Sequence, residues 1–341
     1  MNQFLLQMKK ILVTGANSFI GKHIISDLIK RDYKVAATVR DFNQSAIISS
    51  DIESYLNKKV DIDFFQANLL KDEGWDSAIK DSEVVVHVAS PFPLNPVENE
   101  DELIKPAKEG TLRVLQSCLK NNVKRVILTS SNAAVYGGNQ HLTHFTEETW
   151  TNLDSKNINA YTKSKTIAEM EAWSFVKKHP TIKLTCINPV LVWGVGIGNH
   201  LNSSSLTIFK RLMTKEVPIL ARVKIPIVDV KDVSLAHVTA IEDPKSIDER
   251  FLLCSGTFWM KDIANIMSSS GFNPPSFIAP NFLIKFFGKF DRSAKMMIPF
   301  LDYDFNVSSK KVKDLLGIKL TPMEKTIEDT GHYLLSYDNK K

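Results

Sequence analysis

The chain has 341 residues, of which 43% are hydrophobic and 24% charged, so it is long enough for one large or two closely associated domains with a sizeable buried core. Its 43 Lys and Arg against 38 Asp and Glu leave a formal charge of +5, and because the basic residues are scattered we expect no nucleic-acid partner. It has neither a run of about 20 apolar residues nor a signal-peptide core, so we expect a cytoplasmic protein with no membrane partner.

Strands and helices alternate through the first half of the chain. A short apolar run at 10–14 ends in glycine and is followed by apolar residues at helical spacing from Phe19 to Lys30. The same order repeats, with predicted strands at 35–39, 62–66, 83–89, 125–130 and 183–188 and predicted helices at 75–79, 102–121 and 160–178. Strands rich in Val and Ile that alternate with helices predict an α/β fold, a doubly wound parallel sheet of the Rossmann type covered on both faces.

Beyond Pro189 the alternation becomes irregular, with closely spaced glycines and a serine run at 203–205. We expect this half to form a smaller, mixed C-terminal domain that supplies the substrate pocket. It includes an apolar, basic stretch from Phe282 to Leu301, which begins Phe-Leu-Ile-Lys-Phe-Phe. For this stretch we predict a buried amphipathic helix, and contact with a membrane surface is the alternative.

Three cysteines, Cys118, Cys186 and Cys254, stand far apart in the sequence. Their number is odd, and they have neither the paired spacing of a zinc site nor the density of a disulfide framework. We therefore predict buried thiols in a reducing compartment and no metal site.

The first functional signal is the turn between the first strand and the first helix, with the sequence Thr-Gly-Ala-Asn-Ser-Phe-Ile-Gly at 14–21. Glycines in such a turn let backbone N–H groups approach a pyrophosphate at the N-terminus of the helix. Ser18 occupies the position of the usual middle glycine, where its hydroxyl either donates to phosphate or accompanies a looser turn. The residues predicted to contact the dinucleotide here are Thr14, Gly15, Asn17, Ser18, Phe19, Ile20 and Gly21.

The end of the second strand indicates which dinucleotide binds. NAD-binding proteins usually place Asp or Glu there, whereas the 2′-phosphate of NADP(H) favours a guanidinium. Because the sequence has Arg40 at this point, we predict NADP(H) as the cofactor; the alternative is a solvated arginine paired with Asp41. After the third strand, Asn68 and Leu69 are predicted to lie beside the adenine ring.

Tyr161 and Lys165 carry the predicted chemistry. They stand four residues apart near the start of a predicted helix, which places both side chains on one face. A tyrosine with a pKa near 10 is a weak acid and base at neutral pH, but an adjacent lysine cation stabilises tyrosinate and lowers that pKa. We predict that Tyr161 donates a proton to a carbonyl oxygen as hydride arrives, while Ser131 hydrogen-bonds the same oxygen.

Together these motifs resemble the extended short-chain dehydrogenase/reductases. Within them the chain is most similar to the branch of dihydroflavonol reductases, cinnamoyl-CoA reductases and microbial NADPH-dependent aldehyde/ketone reductases. The segments that carry the resemblance span nearly the whole chain: Thr14 and Gly15 with Gly21, His-Val-Ala-Ser-Pro at 87–91, Thr-Ser-Ser at 129–131, Tyr161 with Ser164 and Lys165, Asn188 with Pro189, and Val-Asp-Val-Lys-Asp-Val-Ser-Leu-Ala-His at 228–237.

The resemblance implies an activity and a set of site residues. The activity is NADPH-dependent reduction of an aldehyde or ketone, with Ser131, Tyr161 and Lys165 as the catalytic triad and Arg40 on the 2′-phosphate. Further cofactor contacts are implied for Val88, Ala89, Ser90, Pro189 and Val192, besides Tyr161 and Lys165.

The resemblance also implies a domain organisation. A dinucleotide-binding domain covers 1–190, and a late strand and helix at about 226–242 return to it; 191–225 and 243–341 form the substrate-binding portion. Within the returning segment we expect Asp229 and Asp232 to brace loops rather than to contact substrate.

Three positions depart from the family pattern. Ser18 replaces a glycine and Asn68 stands where an aspartate is common, and both departures bear on cofactor affinity. Asn132 follows the serine pair, so Ser130, Ser131 and Asn132 stay alternatives for the group that polarises the carbonyl.

The substrate is the least defined part of the prediction. The predicted pocket residues are Pro91, Phe92, Asn132 and Tyr136, and they suit a medium-sized aldehyde or ketone with an aromatic or alkyl body. Phe92, Trp193 and Phe209 are either pocket residues or core residues. We expect a monomer or homodimer whose partner is this small carbonyl compound.

Two other functions stay open. A sugar-nucleotide epimerase or dehydratase of the extended family would share the Tyr161 and Lys165 pair, but it would retain NAD and favour an acidic residue in place of Arg40. A non-catalytic NADP(H)-binding sensor would bind the cofactor without turnover.

Overall fold

The computed structural model describes residues 9–90 and 99–338, apart from the side chains of Arg292, Ser293, Met296 and Asp338. The strands are β1 (Lys10–Thr14), β2 (Lys34–Val39), β3 (Ile62–Gln66), β4 (Val84–His87), β5 (Arg125–Thr129), β6 (His144–Phe145), β7 (Lys183–Pro189), β8 (Leu191–Trp193), β9 (Lys224–Asp229), β10 (Glu249–Leu253), β11 (Gly256–Trp259) and β12 (Asn306–Val307). The helices are α1 (Phe19–Lys30), α2 (Ser45–Leu56), α3 (Trp75–Ile79), α4 (Asp101–Lys120), α5 (Ala160–Lys178), α6 (Ser204–Met213), α7 (Val230–Glu242), α8 (Met260–Ser269), α9 (Asn281–Phe287), α10 (Arg292–Met297), α11 (Lys310–Leu316) and α12 (Met323–Asp338).

The largest sheet has seven strands in the order β10-β7-β5-β4-β1-β2-β3. The pairs from β3 across to β7 are all parallel. The strand order reverses at β1, because β1 lies between β2 on one side and β4 on the other. The predicted doubly wound parallel sheet is therefore confirmed, and the predicted strand and helix boundaries in this part agree with the structure to within two residues.

The strands of this sheet are apolar because helices cover their faces. All four residues of β4 and the last four of β1 are buried. One face forms a core with helices α3, α4 and α5, in which the indole of Trp75 and the thiols of Cys118 and Cys186 are buried. Together with buried Cys254 these are free thiols, as predicted.

Helix α2 is the element of this region that the sequence pattern did not indicate. Only Ile48 and Ile52 of its twelve residues are buried. Two apolar contacts one turn apart give too weak a periodicity to distinguish a surface helix from a loop.

The chain forms two compact units. The first comprises 1–130, 159–187 and 234–250, and the second comprises 131–158, 188–233 and 251–341. This division differs from the predicted one, because 131–158 belong to the second unit.

The late strand that we expected to return to the dinucleotide-binding domain, β9, does not join the seven-stranded sheet. Strand β9 is the centre of a separate three-stranded sheet, in which it pairs with β8 in parallel and with β11 antiparallel. Only the part of α7 from Ser234 onward belongs to the first unit. A two-stranded sheet of β6 and β12 completes the strands of the second unit.

The apolar, basic stretch that begins at Phe282 does not form the predicted buried helix. It contains the two short helices α9 and α10, and in α9 the one fully buried side chain is Ile284. Phe282 and Phe290 are 68% and 80% exposed. Helical spacing alone does not specify whether an apolar face meets the core. Within the described residues, no helix is long and apolar enough to cross a bilayer.

Candidate active site

The carboxyl ends of β1 and β4 lie side by side where the strand order reverses, which is where open α/β sheets bind dinucleotides. The Thr14 hydroxyl joins the two strand ends. Its oxygen accepts from the backbone N–H groups of Val88 (3.1 Å) and Ala89 (3.0 Å) and lies 2.8 Å from Nδ1 of His87. Thr14, Val88 and Ala89, three of the predicted cofactor residues, are thus brought together.

Gly15 occupies the turn after β1 with φ of +69°, a conformation that favours glycine. A Cβ at this position would lie 3.0 Å from Cα of Ala89. The turn therefore requires glycine both for its backbone conformation and for its close approach to the chain that follows β4.

Ser18, the departure from the usual glycine, is the N-cap of α1. Its Oγ accepts from the N–H of Gly21 at 2.9 Å, which satisfies one of the unpaired donors at the helix start. A Cβ on Gly21 would lie 2.6 Å from the Gly15 carbonyl oxygen, so the turn packs tightly at both glycines. The Ser18 hydroxyl keeps its proton available to a ligand at the helix N-terminus.

Replacing Gly15 by Ala is expected to weaken NADPH binding at least about tenfold, because the added methyl pushes the β1 turn away from Ala89. Titration of cofactor fluorescence measures this change. Gly317→Ala is the matched control, since Gly317 has φ of +64° but open space around it. Both variants are expected to lose about 1–2 kcal/mol of stability from the left-handed backbone conformation, and Gly15→Ala loses more because of its contact with Ala89, but only Gly15→Ala should lose affinity. Equal affinities would contradict the role of Gly15.

Arg40 follows β2 and is exposed. Its guanidinium forms no ion pair with any residue that the structure describes, and Asp41 accepts from the N–H of Asn43 at 3.0 Å. The backbone at this point is held by Gln66, whose side-chain amide donates to the Arg40 carbonyl oxygen at 2.9 Å. The arginine is therefore available for an anionic ligand, and the alternative of a pair with Asp41 is not observed.

Asn68 and Leu69 follow β3. Oδ1 of Asn68 accepts from the N–H of Leu70 at 3.0 Å, and its carbonyl oxygen accepts from the Trp75 indole at 3.1 Å. The side chain of Leu69 packs on Gly110 of α4, where a Cβ would meet it at 2.9 Å. These contacts give the loop a defined shape and leave the amide N–H groups of Asn68 free to donate.

Tyr161 and Lys165 lie in the first two turns of α5, as predicted. The helix begins there because Asn159 is its N-cap, with its side chain accepting from the N–H of Thr162 at 2.8 Å. The Lys165 ammonium donates to Oγ of Ser90 at 3.2 Å, which places it beside the end of β4. Burial lowers the pKa of Lys165 to about 8, although the Glu169 carboxylate opposes this shift.

His87 is fully buried at the end of β4 and adds a polar group to this region. Burial, reinforced by the charge of Lys165, lowers the pKa of His87 to about 3. The imidazole is therefore neutral in the physiological range and serves as a hydrogen-bond partner of the Thr14 hydroxyl.

Ser130 and Ser131, two of the three candidates for the group that polarises a carbonyl, differ in their hydrogen bonds. Ser130 donates its hydroxyl proton to Oε2 of buried Glu169 at 2.5 Å. Ser131 instead caps a 3₁₀ helix at 132–134, where its Oγ accepts from the N–H of Ala133 at 3.2 Å. The Ser131 hydroxyl donates to Oδ1 of Asn132 at 3.5 Å, a longer and weaker contact than that of Ser130, so Ser131 is the serine more readily turned toward another acceptor.

Several predicted residues belong to the second unit. The side-chain amide of Asn188 donates to the Ser131 carbonyl oxygen at 3.1 Å, and Asn132 is buried. Tyr136 stacks on Phe305 with ring centroids 6.1 Å apart. Pro189 ends β7, and Val192 in β8 pairs with Val228. The predicted substrate residues Pro91 and Phe92 lie outside the described residues.

Trp193 and Phe209 are core residues rather than pocket residues. Both are fully buried, and their rings meet edge to face at 4.9 Å. Asp229 and Asp232 brace loops, as expected. Asp229 accepts from the Thr326 hydroxyl at 3.0 Å, and Asp232 accepts from Thr321.

Glu169 and Arg250 are the site residues that sequence reasoning missed. Their side chains form a buried ion pair at 2.6 Å across 81 residues of sequence. The spacing of Lys165 and Glu169, which is that of a helical pair, was the available signal for the glutamate. No local pattern identifies the arginine.

Ten residues of the first unit line a small cavity beside Lys165. The lining combines the charged side chains of Lys165 and Glu169 with hydroxyl-bearing residues, alanines and a leucine. Its lining is Ala89, Ser90, Ala107, Thr111, Leu128, Thr129, Ser130, Lys165, Ala168 and Glu169.

Comparison with known proteins gives a consistent result. The family model described as the NAD dependent epimerase/dehydratase family matches residues 11–254. The NADPH-dependent methylglyoxal reductase GRE2 of Saccharomyces cerevisiae is 30% identical over 358 residues, covering 97% of this chain and 99% of the yeast protein. The cinnamoyl-CoA reductase CAD2 of Medicago truncatula is 34% identical over 328 residues, covering 94% of each chain.

Solved structures agree with the fold. The crystal structure of yeast methylglyoxal/isovaleraldehyde reductase Gre2 complexed with NADPH matches with a TM-score of 0.78 and 28% identity, covering 97% of this chain and 100% of that chain. A UDP-glucose 4-epimerase of Thermotoga maritima matches with a TM-score of 0.74 and 20% identity, covering 96% of this chain and 99% of that chain. The fold is thus common to reductases and epimerases, and site residues must distinguish them.

Proposed function

Because the chain belongs to the NAD dependent epimerase/dehydratase family, we propose that within it the chain is an NADPH-dependent reductase of small aldehydes or ketones. The observation that carries the proposal is the Tyr161 and Lys165 pair on α5, with the lysine ammonium 3.2 Å from Ser90 at the strand switch point. The relatives named as NADPH-dependent methylglyoxal reductase and cinnamoyl-CoA reductase support this choice over other activities of the family.

The residues around the switch point suit NADPH. Gly15 allows the backbone to approach a pyrophosphate, and the N-terminus of α1, capped by Ser18, attracts its negative charge. Arg40, with no ion pair among the described residues, suits a 2′-phosphate. Asn68 and Leu69 would lie at the adenine ring. The remaining proposed contacts are Thr14, Asn17, Phe19, Ile20, Gly21, Val88, Ala89, Ser90, Pro189 and Val192.

The proposed chemistry divides between the cofactor and the protein. NADPH supplies the hydride when it is bound. Tyr161 donates its phenolic proton to the carbonyl oxygen, so the product is an alcohol and the phenol becomes tyrosinate. The Lys165 ammonium stabilises that anion, and the Ser131 hydroxyl donates to the carbonyl oxygen and orients it.

The test compares oxidation of NADPH and NADH in the presence of aromatic aldehydes, α-diketones, β-keto esters and dihydroflavonols. Turnover with a clear preference for NADPH supports the proposal. Tight cofactor binding without turnover of any carbonyl would instead favour a sensor. Conversion of a sugar nucleotide with retained NAD would favour an epimerase.

Replacing Arg40 by Ala is expected to weaken NADPH binding about 10- to 100-fold while NADH binding changes little, because only NADPH carries the 2′-phosphate. Dissociation constants for both cofactors measure the change. Arg222→Ala is the control, since Arg222 is an exposed arginine paired with Asp302. Unchanged selectivity in Arg40→Ala would rule out this role for the residue.

We also propose a cytoplasmic location and a monomeric or homodimeric state. Three free, buried thiols are consistent with a reducing compartment. Fractionation and light scattering test the two statements.

A further inference from the structure

Glu169 of α5 is buried in the first unit, between the end of β5 and strand β10. Its side chain is 0% exposed. Oε2 accepts from the hydroxyl of Ser130, the residue after β5, at 2.5 Å, and Oε1 accepts from Nε of Arg250 in β10 at 2.6 Å and from the Trp173 indole at 3.3 Å. A carboxylate so fully hydrogen-bonded has one defined position.

That position lies beside Lys165. The two residues are one helical turn apart on α5 and line the same small cavity. Four of the other lining residues, three alanines and a leucine, are apolar, and an apolar surrounding strengthens the attraction between the carboxylate and the ammonium. Burial acts in the opposite direction, because it disfavours the charged form of a lysine.

We propose that Glu169 is a positioning residue that keeps Lys165 charged and oriented for proton transfer at Tyr161. The inference rests on the proposed reductase function. Lys165 stands in a partly buried site, and without a neighbouring carboxylate it would lose its proton at a lower pH. By accepting the Ser130 proton at 2.5 Å, the same carboxylate holds that serine firmly, whereas the Ser131 hydroxyl has the longer 3.5 Å contact with Oδ1 of Asn132.

The other groups around Glu169 determine how its removal should act. Arg250 from β10 carries the opposite charge, Cys186 from β7 is a thiol whose pKa is raised by burial and by Glu169, and Ser130 after β5 is neutral. On the side of Lys165, His87 at the end of β4 is a buried imidazole whose pKa is lowered by burial and by the charge of that lysine. Replacing Glu169 by glutamine removes a negative charge that favours the ammonium, and it therefore lowers the pKa of Lys165.

The experiment compares Glu169→Gln with Glu171→Gln, which makes the same change two residues along the same helix at a half-buried ion pair with Lys108. We expect the basic limb of the kcat profile for carbonyl reduction to move to lower pH by about one unit in Glu169→Gln and to stay in place in Glu171→Gln. A residue with only a structural role would lower the amount of folded enzyme without moving the limb. An unmoved limb in folded Glu169→Gln would overturn the inference.

A second readout does not depend on turnover. Reductive methylation with ¹³C-formaldehyde allows the Lys165 amine to be titrated by NMR, with its resonance assigned from Lys165→Met. We expect the pKa of Lys165 measured in this way to be about one unit lower in Glu169→Gln than in the wild-type protein. An unchanged pKa would overturn the inference even if no carbonyl substrate is found. Failure of the proposed function would appear separately, as no turnover in the wild-type protein.

Glu169→Gln leaves Arg250 buried without its partner, which risks unfolding. The double variant Glu169→Gln/Arg250→Met removes both charges and avoids that penalty. Arg250 is paired with Glu169 rather than with Lys165, so loss of its charge should affect Lys165 less than loss of the carboxylate. The pKa of Lys165 is therefore still expected to be lower in the double variant than in the wild-type protein. A titration identical to that of the wild-type protein would contradict the inference.

Discussion

Replacing Tyr161 by Phe is expected to lower kcat for carbonyl reduction by about 10²- to 10⁴-fold, because the variant keeps the ring but loses the proton donor. The affinity for NADPH should change little, since the phenol contributes mainly in the transition state. Single-turnover rates and cofactor titration with the same preparation measure the two quantities.

Tyr55→Phe is the matched control for this change. Tyr55 is a surface tyrosine of the first unit, 38% exposed, and it should lose its hydroxyl without effect on the rate. If Tyr161→Phe retained wild-type turnover, another group would be the proton donor, and the assignment of the catalytic pair would be wrong.

The rate of reduction is expected to fall as the pH rises above about 8. This basic limb of the pH–rate profile should follow the loss of the proton from Lys165. Burial lowers the pKa of this lysine to about 8, so the ammonium is present below that pH and is lost above it. A lysine with an ordinary pKa near 10.4 would keep the rate level to about pH 10. The kcat profile between pH 6 and 10.5 distinguishes the two cases.

Lys165→Met should remove this limb and reduce kcat at pH 7 by at least about 100-fold, because tyrosinate then forms without a neighbouring cation. Lys163→Met provides the comparison, since Lys163 lies on the same helix but pairs with Glu100 at 2.6 Å. A limb that persists in Lys165→Met would show that a different group titrates. His87 is not expected to be that group, because burial is the main cause that lowers its pKa to about 3.

Local patterns predicted most of the first unit correctly. Strand β4 and the buried part of β1 are continuous apolar runs, since helices cover both faces of a parallel sheet, and such runs are visible in the sequence. The family resemblance drawn from the motifs is confirmed by the family match over 11–254. The individual site residues stay predictions that the experiments above test.

The structure differs from the predictions where a sequence pattern indicated the type of element but not the elements it packs against. Strand β9 has the apolar character of a sheet strand, but nothing local states which sheet it joins, and it pairs with β8 and β11. Phe282 and Phe290 stand in an apolar stretch that looks like a core helix, yet both are exposed. Periodicity reports which residues share a face, not what that face meets.

The sequence by itself determined the alternating fold of the first unit, the glycine turn at Gly15 and the helical pairing of Tyr161 with Lys165, because each depends on residues close together in the chain. Only the tertiary structure decided that Ser130 is hydrogen-bonded to Glu169 and that Glu169 forms an ion pair with Arg250, 81 residues away. Those contacts join strands β5 and β10 to helix α5, and a hydrogen bond between distant segments leaves no periodic trace in any of them.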